Sequence, residues 1–537
     1  MLEYRKAFKH IDRFLKLQLK EKNIPGMAVA ITDREKTLKV FTYGYADIAA
    51  RTAITLDTLF EVASIGKSFT SIALLQLQEE GKLWLNKPVK EYLPWFQVKS
   101  KFPPITVQHL MGHTAGIVRG SELAPHGLYD SWALQETEVR VPPGQFWHYS
   151  SIGYKTLGFL LEKVTGQSLR EVLQTRILNP LGMTATKSTI TFETRKKTSI
   201  GYTSLYDDRP EHPSHQLVPA MWSEYATGDG CLASNLGDMA IYLRMLINRG
   251  VGQRGRILSE KSFNLMAPIA TKASGELYGY AIVSYPVEDH VYLGHGGGNT
   301  GFSSHILSIV DEDIGVVILT NRRTEFDTVY ESAAYILEIM RAVRLRKGLP
   351  PLPLATPIHI VNAPDYAGTF RWGDKTLEFA ASGSNLLLKH QSTSIALEGR
   401  YQDNFYARHP EFDLFFFEFK RDKGKVREVF HGPDWFINKH YTGSQNYNYP
   451  EEWKSYVGHY RARNPELSNF RVVIRKGALI LIFPSGYSEP LIPLGDSLFQ
   501  IGTDYRSPEA VRFSAVVDGH ACRADYSGCP YYRTFTP

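Results

Sequence analysis

Apolar positions recur along this chain with two periods, and the change from one to the other divides it. Phe8, Ile11, Leu15 and Leu19 keep a helical spacing through an otherwise charged start, which predicts a helix within residues 1–22. Apolar runs at 26–32 and 38–43, joined by Asp33-Arg-Glu-Lys36, predict two strands and a charged turn. The helical period returns after Ser64, where Ile65, Phe69, Ile72, Leu75 and Leu77 run towards Gly81. It recurs over 154–164, stopped by Thr165-Gly166, and over 236–248, ended by Gly250. Residues 303–309 and 315–320 read as buried strands around Asp311-Glu-Asp313, and a helix at 330–345 follows. Strands at both ends of a region with helices between them imply one antiparallel sheet that unites the ends.

Beyond Gly348 the texture changes. Residues 349–357 are a Pro-rich linker, and after it come short alternating segments at 377–379, 385–389, 414–419, 471–474 and 479–483. This part repeats: Tyr366-Ala-Gly-Thr-Phe-Arg371 returns as Tyr456-Val-Gly-His-Tyr-Arg461, and Asp403-Asn-Phe405 has a looser echo in Asp496-Ser-Leu-Phe499. A period of about 90 residues implies two similar β-domains, expected as small closed barrels without exposed edges. The expected division is residues 1–348 for the first domain, 358–445 for one barrel and 450–537 for the other.

Composition excludes more than it assigns. With 537 residues, 43% hydrophobic, 22% charged and a net charge of +6, the chain reads as an ordinary multidomain globular protein. Its basic clusters at 195–197 and 341–347 are too short and scattered for a nucleic-acid surface. No apolar stretch is long enough to span a membrane, and no signal-peptide pattern opens the sequence, so a cytoplasmic location is expected. Three cysteines imply no disulfide framework, and among the 17 histidines the best metal-like spacing is His212-Pro-Ser-His215 in a Pro-rich loop, so no metal and no cofactor is expected.

Three motifs carry candidate chemistry. Ser64-Ile-Gly-Lys67 is the single Ser-x-x-Lys in the chain. At helical spacing Lys67 lies one turn along from Ser64, where it can activate a weak hydroxyl nucleophile, and the helix N-terminus favours a developing oxyanion. Read alone, the same four residues describe a helix cap followed by a surface lysine. The second motif is Tyr149-Ser-Ser151 in the lead-in to the 154–164 helix; a tyrosine flanked by cations can act as a base, although most tyrosines in such places are core residues. The third is Gly294-His295-Gly-Gly-Gly298-Asn-Thr-Gly301, whose glycines let a substrate approach the backbone and whose N–H groups can hold an oxyanion; its alternative is a flexible hairpin. A lipase-type oxyanion motif is excluded, because the chain lacks the Gly-x-Ser-x-Gly elbow that belongs with it.

In order and separation, Ser-x-x-Lys at 64, Tyr-x-x at 149 and His-x-Gly at 295 resemble the serine β-lactamase and penicillin-binding-protein superfamily. The likeness is greatest to its class C branch of β-lactamases, D-aminopeptidases and esterases. Leu59-Phe-Glu-Val-Ala-Ser64, Ile105-Thr-Val-Gln-His-Leu-Met-Gly-His113-Thr-Ala-Gly116, Ala233-Ser-Asn-Leu-Gly-Asp238 and Val316-Val-Ile-Leu-Thr-Asn321 extend the resemblance over about residues 20 to 345. It implies an α/β catalytic domain, with an antiparallel sheet flanked by helices, and two small antiparallel β-barrels after it in a D-aminopeptidase-like arrangement. It implies Ser64 as the acylated nucleophile, Lys67 as the group that holds and tunes it, and Tyr149 as the proton shuttle. His295 and Gly297 would line the substrate, with the Ser64 and Gly298 N–H groups as oxyanion hole and His113 as scaffold.

Two departures shape the expected substrate. Ser151 stands where relatives have Asn, and His295 stands where many have a permanent cation. Both favour a small peptide, amide or ester over a β-lactam, as substrate of a D-aminopeptidase-like or D-stereospecific peptidase; the alternatives are an esterase or β-lactamase of the same fold, or an acyltransferase to an amine or alcohol. A penicillin-recognising sensor without turnover is the non-enzymatic alternative. The partners implied are a small-molecule or short-peptide substrate, with no nucleic acid or membrane, and a possible homo-oligomer.

Overall fold

The structure is a computed structural model describing residues 2–120, 127–324, 326–353, 356–464 and 466–534. Its first compact unit comprises Met1–Leu205 and Gln216–Leu352. An N-terminal helix α1 (Leu2–Glu21) precedes strands β1 (Gly26–Asp33), β2 (Thr37–Asp47) and β3 (Thr52–Ala53). The helices α2 (Gly66–Glu79), α3 (Ser151–Thr165) and α4 (Leu236–Ile247) follow. Strands β4 (Leu277–Tyr278), β5 (Val283–Val287), β6 (His290–Asn299), β7 (Phe302–Ile309) and β8 (Ile314–Thr320) come next, and α5 (Phe326–Arg344) closes the unit.

All eight strands form one antiparallel sheet in the order β4-β5-β6-β7-β8-β1-β2-β3. The first strands thus lie beside the last ones, with Val29 opposite Ile318 on one side and Phe41 on the other. The physical reason is burial on both faces. Ala28 and Ala30 of β1 join the core beneath α2, α3 and α4, while Met27, Val29 and Ile31 join the core beneath α1 and α5. Val317 and Leu319 against Val316 and Ile318 repeat the alternation in β8. Such a strand reads as an unbroken apolar run, because both of its faces are dry. On the outer side Ile11, Phe14 and Leu15 of α1 meet Ala333, Ile336 and Leu337 of α5.

The second unit comprises Tyr206–His215 and Pro353–Pro537. Strands between Gly368 and Asn438 close one eight-stranded antiparallel barrel, and strands between Gly458 and Thr534 close another. The repeated motif opens each barrel: Phe370 pairs with both Leu377 and Asn438, and Tyr460 with both Phe470 and Arg533. The barrels are joined by Arg475, whose guanidinium donates to the Gly432 carbonyl and Glu418 carboxylate at 2.7 and 2.9 Å, both bonds buried. The strand expected at 414–419 begins at Phe417, because the apolar run before it is used as a turn with Phe416 inside. The first residues of the Pro-rich segment lie on the first unit, with Leu349 and Leu352 against its outer core and Tyr335 donating to the carbonyls of Pro350 and Pro351. Leu354 and Ala355 of that segment lie outside the described residues. No helix among the described residues is long and apolar enough to cross a membrane.

Candidate active site

Ser64 sits in a single 3₁₀ turn (Ala63–Ile65) that runs into α2. The turn is entered through Ala63 at φ +48°, a left-handed value unusual for alanine, which marks a strained approach to the serine. Space for it comes from Gly230, at φ +153°, where a Cβ would lie 2.6 Å from the Ala63 carbonyl. One helical turn on, Lys67 is 1% exposed and donates to Ser64 Oγ at 3.0 Å and to the Asp229 carbonyl at 2.8 Å. That carbonyl is held in place by the Asp229 side chain, which accepts from Tyr225 and Thr227, each at 2.6 Å. The ammonium also lies 5.0 Å from the Tyr149 ring centre and 5.9 Å from that of Tyr154, where ring faces offset part of its desolvation.

Tyr149 is half-buried in the lead-in to α3. The lead-in is pinned on either side of Tyr149 by His113. The His148 N–H donates to the His113 carbonyl at 2.7 Å, and the Ser150 N–H donates to His113 Nδ1 at 3.0 Å. Ser150 also caps α3, accepting from the Gly153 N–H while donating to the Val118 carbonyl. This cap starts the helix at Ser151, three residues before the expected start at 154. The Tyr149 ring lies 4.3 Å from that of His113 and 5.9 Å from the Arg119 guanidinium, so two cations, Lys67 and Arg119, face it. Ser151 is buried at the first helical position and its N–H donates to the Arg119 carbonyl; its hydroxyl makes no hydrogen bond among the described residues.

The third motif is a strand. His295, Gly297 and Gly298 lie in β6, opposite Ile306, Ser304 and Ser303 of β7. A Cβ on Gly297 would fall 2.1 Å from the Val62 carbonyl and 2.4 Å from Ser304 Oγ, so only glycine lets the strand lie against the segment that carries Ser64. Gly298 is exposed, with nothing within 4 Å of where its side chain would be. Asn299 then donates to Glu61 at 2.5 Å, tying the end of the strand to the residues before Ser64. Burial pushes the Glu61 carboxyl up to about 7, against the opposing pull of Asn299 and Arg195.

His295 ends a continuous chain of hydrogen bonds whose direction the partners dictate. His113 Nδ1 accepts the Ser150 N–H, so its proton is on Nε2, which reaches Tyr278 Oη at 3.2 Å. Tyr278 must then donate onward, to His295 Nε2 at 3.0 Å. That leaves the His295 proton on Nδ1, 2.6 Å from the Gly296 carbonyl. Both imidazoles are neutral links. Burial, and then the Lys67 charge, bring His295 down to about 4 and hold His113 well below the usual imidazole range. Tyr278 is raised well above the usual phenol range, chiefly by burial, and stays a donor.

Ser64, Lys67, Tyr149 and the His295–Gly297 strand therefore converge around one buried ammonium, and His113 supports the Tyr149 segment. Tyr278, Arg119, the Asp229 carbonyl and the Glu61–Asn299 tie were not anticipated from the sequence. Tyr278 is one of 30 tyrosines, and nothing in its local spacing marks it. His212 bonds Ser214 and Glu398, and His215 meets Tyr406.

A model of the beta-lactamase family matches residues 11–340. The chain belongs to that family. It is 28% identical over 327 residues to protein flp of Staphylococcus aureus (strain N315), an alignment covering 59% of this chain and 63% of that one. It is 24% identical over 318 residues to penicillin-binding protein 4* of Bacillus subtilis (strain 168), covering 54% and 66%. The structure of the octameric penicillin-binding protein homologue from Pyrococcus abyssi matches with a TM-score of 0.58 and 25% identity, over 80% of this chain and 100% of that one. The fold is thus that of the serine β-lactamase and penicillin-binding-protein superfamily, with two β-barrels appended. Members of this family are generally serine hydrolases, and some are non-catalytic. The match spans 63% of the flp protein's length.

Proposed function

We propose that this chain is a serine hydrolase that works through an acyl-Ser64 intermediate on a small peptide, amide or ester, as a D-aminopeptidase-like or D-stereospecific peptidase. The observation that carries the reading is Lys67, 1% exposed, with its ammonium on Ser64 Oγ at 3.0 Å and beneath the Tyr149 ring. In the proposed mechanism Ser64 Oγ attacks the substrate carbonyl as its proton passes to Tyr149. Tyr149 enters this step deprotonated, with Lys67 and Arg119 as the cations beside its ring, and becomes a neutral phenol as negative charge develops on the substrate oxygen. The Ser64 and Gly298 N–H groups are the proposed oxyanion hole, and Ser151, His295 and Gly297 line the substrate. Collapse of the tetrahedral species breaks the bond to the leaving group, which takes the proton from Tyr149. Water then repeats the sequence on the acyl-serine and releases the acid. Neither a metal nor a cofactor takes part in these steps.

The substrate class rests on His295. A neutral imidazole, near 4 by burial, offers no cation to a β-lactam carboxylate at neutral pH. The same position suits an uncharged peptide or ester backbone. We further propose three domains, 1–348, 358–445 and 450–537, and a homo-oligomer, in line with the octameric homologue of similar fold.

The test is labelling with a fluorophosphonate, located by mass spectrometry, alongside turnover of paired L- and D-aminoacyl anilides, short-chain esters and a chromogenic cephalosporin. The adduct is expected on the peptide carrying Ser64, and Ser64→Ala should lower kcat by about three orders of magnitude or more. An adduct elsewhere overturns the assignment. Faster turnover of the cephalosporin than of any anilide or ester overturns the substrate class but not the nucleophile.

A further inference from the structure

In the first barrel, three side chains converge that neither the barrel core nor the hydrolytic site employs. His390 ends the strand Asn385–His390, and His409 and Glu411 lie on the connection after the strand Asn404–Ala407. One potential ligand atom from each lies within 4.8 Å of the other two. His390 Nε2 and Glu411 Oε1 are 3.3 Å apart, and among the described residues Glu411 has no lysine or arginine partner. The two imidazoles are 5.0 Å apart, and both stand on Phe412, at 5.1 and 5.6 Å. Phe412 in turn closes the connection by donating its N–H to the His409 carbonyl at 2.8 Å. The two imidazoles are thus placed by packing and the connection by a backbone bond, while the Glu411 carboxylate is exposed.

Two imidazoles and a carboxylate are the nitrogen and oxygen donors of a three-protein-ligand zinc centre. With bonds of about 2.0–2.1 Å, neighbouring ligand atoms of a tetrahedron lie about 3.3–3.4 Å apart. The His390–Glu411 pair already has that separation. His409 completes the face with an inward rotation of about 1.5 Å or less. Its present bond is expendable, since Nδ1 accepts the Glu411 N–H at 3.3 Å, beyond the usual range. A metal on Nδ1 takes that lone pair, and a metal on Nε2 moves the proton to Nδ1; either way the same weak contact is lost.

We propose that His390, His409 and Glu411 bind one Zn²⁺, with water in the fourth position. The ion ties the end of one barrel strand to a connection two strands further on, and so stabilises the barrel without touching the Ser64 chemistry.

The experiment uses the untagged full chain, stripped with a chelator and titrated with ZnCl₂ by calorimetry, with thermal unfolding followed in parallel. One ion per chain is expected, with a Kd of about 10 µM or tighter. Saturating zinc should raise the barrel unfolding temperature by about 5 °C. His390→Ala and His409→Ala should each weaken binding at least about 30-fold and remove the thermal shift. Co²⁺ supplies an independent readout: intense visible bands of tetrahedral Co²⁺ should appear in the parent chain and be lost in both variants. Absence of saturable binding by the parent chain overturns the proposal, and leaves His390–Glu411 as an ion pair only. Undiminished binding in both variants overturns it as well, by placing the metal elsewhere.

Discussion

At the scale of the residue, Lys67 is held by two oxygen atoms and two ring faces, and among the described residues no carboxylate neutralises it. A buried cation so placed disfavours protons on the imidazoles near it, and adds to burial in lowering His295 and His113. Lys67→Ala and Tyr149→Phe should each lower kcat/KM by about three orders of magnitude. If the two groups form one relay, the double variant should be little worse than either alone; strictly additive losses would show that they act separately. The histidine chain gives a second expectation. Tyr278→Phe removes the donor to His295 Nε2 and leaves that nitrogen free to take a proton beside Lys67. The acid limb of kcat/KM, where His295 contributes near pH 4, should therefore move towards neutrality; an unmoved limb would reduce Tyr278 to a packing role. The same groups bear on stability. His295 and His305, buried, hold protons more weakly folded, at about 4 and 3, than unfolded, at about 6.5. Their contribution is complete above pH of about 6.5, is withdrawn progressively as pH falls from there, and is fully lost once pH has fallen through the folded values. Thermal unfolding between pH 7.5 and 4.5 should show this loss, with a shallower slope in His305→Gln.

At the scale of the element, β6 does what a loop could not. Its glycines looked equally suited to a flexible hairpin, and the local residues alone did not choose. Pairing with β7 chose, because seven consecutive residues of β7 are themselves buried between β6 and β8 and need partners on both edges. The two central glycines are then unequal. Gly297→Ala drives a methyl into the Val62 carbonyl and should displace the strand, with loss of activity of about 100-fold or more and a lower Tm. Gly298→Ala adds a methyl to open space, so the Tm should hold, and any effect should fall on KM, because only a substrate can meet that methyl. Kinetics and thermal unfolding of the two variants make the comparison. A drop in Tm for Gly298→Ala that matches Gly297→Ala would contradict the assigned faces. Helix limits show the same division of causes. The apolar period located α3, and the Ser150 cap set its first residue.

At the scale of the whole molecule, the compact units do not follow the chain in order. Residues 206–215 leave the first unit between Leu205 and Gln216, whose backbones bond at 2.8 Å, and belong with the barrels. There Arg209 pairs with Asp413, His212 with Glu398, and Asp207 with Arg461. A chain ending at Leu352 should therefore be cleaved within 206–215 by limited proteolysis. Replacing that excursion with a short Gly-Ser turn should restore resistance while Ser64 remains labelled by the fluorophosphonate. Cleavage elsewhere first would show that the excursion is stable by itself. The sequence by itself determined the elements, the two architectures and the Ser64–Lys67 contact, since each rests on periodicity or on neighbours a few residues apart. Binary burial patterns and one helical turn are local physics, readable from spacing. Only the tertiary structure decided the rest. Tyr278 joins His113 to His295, the Asp229 carbonyl holds Lys67, and His390 meets His409 and Glu411, because packing brings together residues whose separation in sequence carries no period at all.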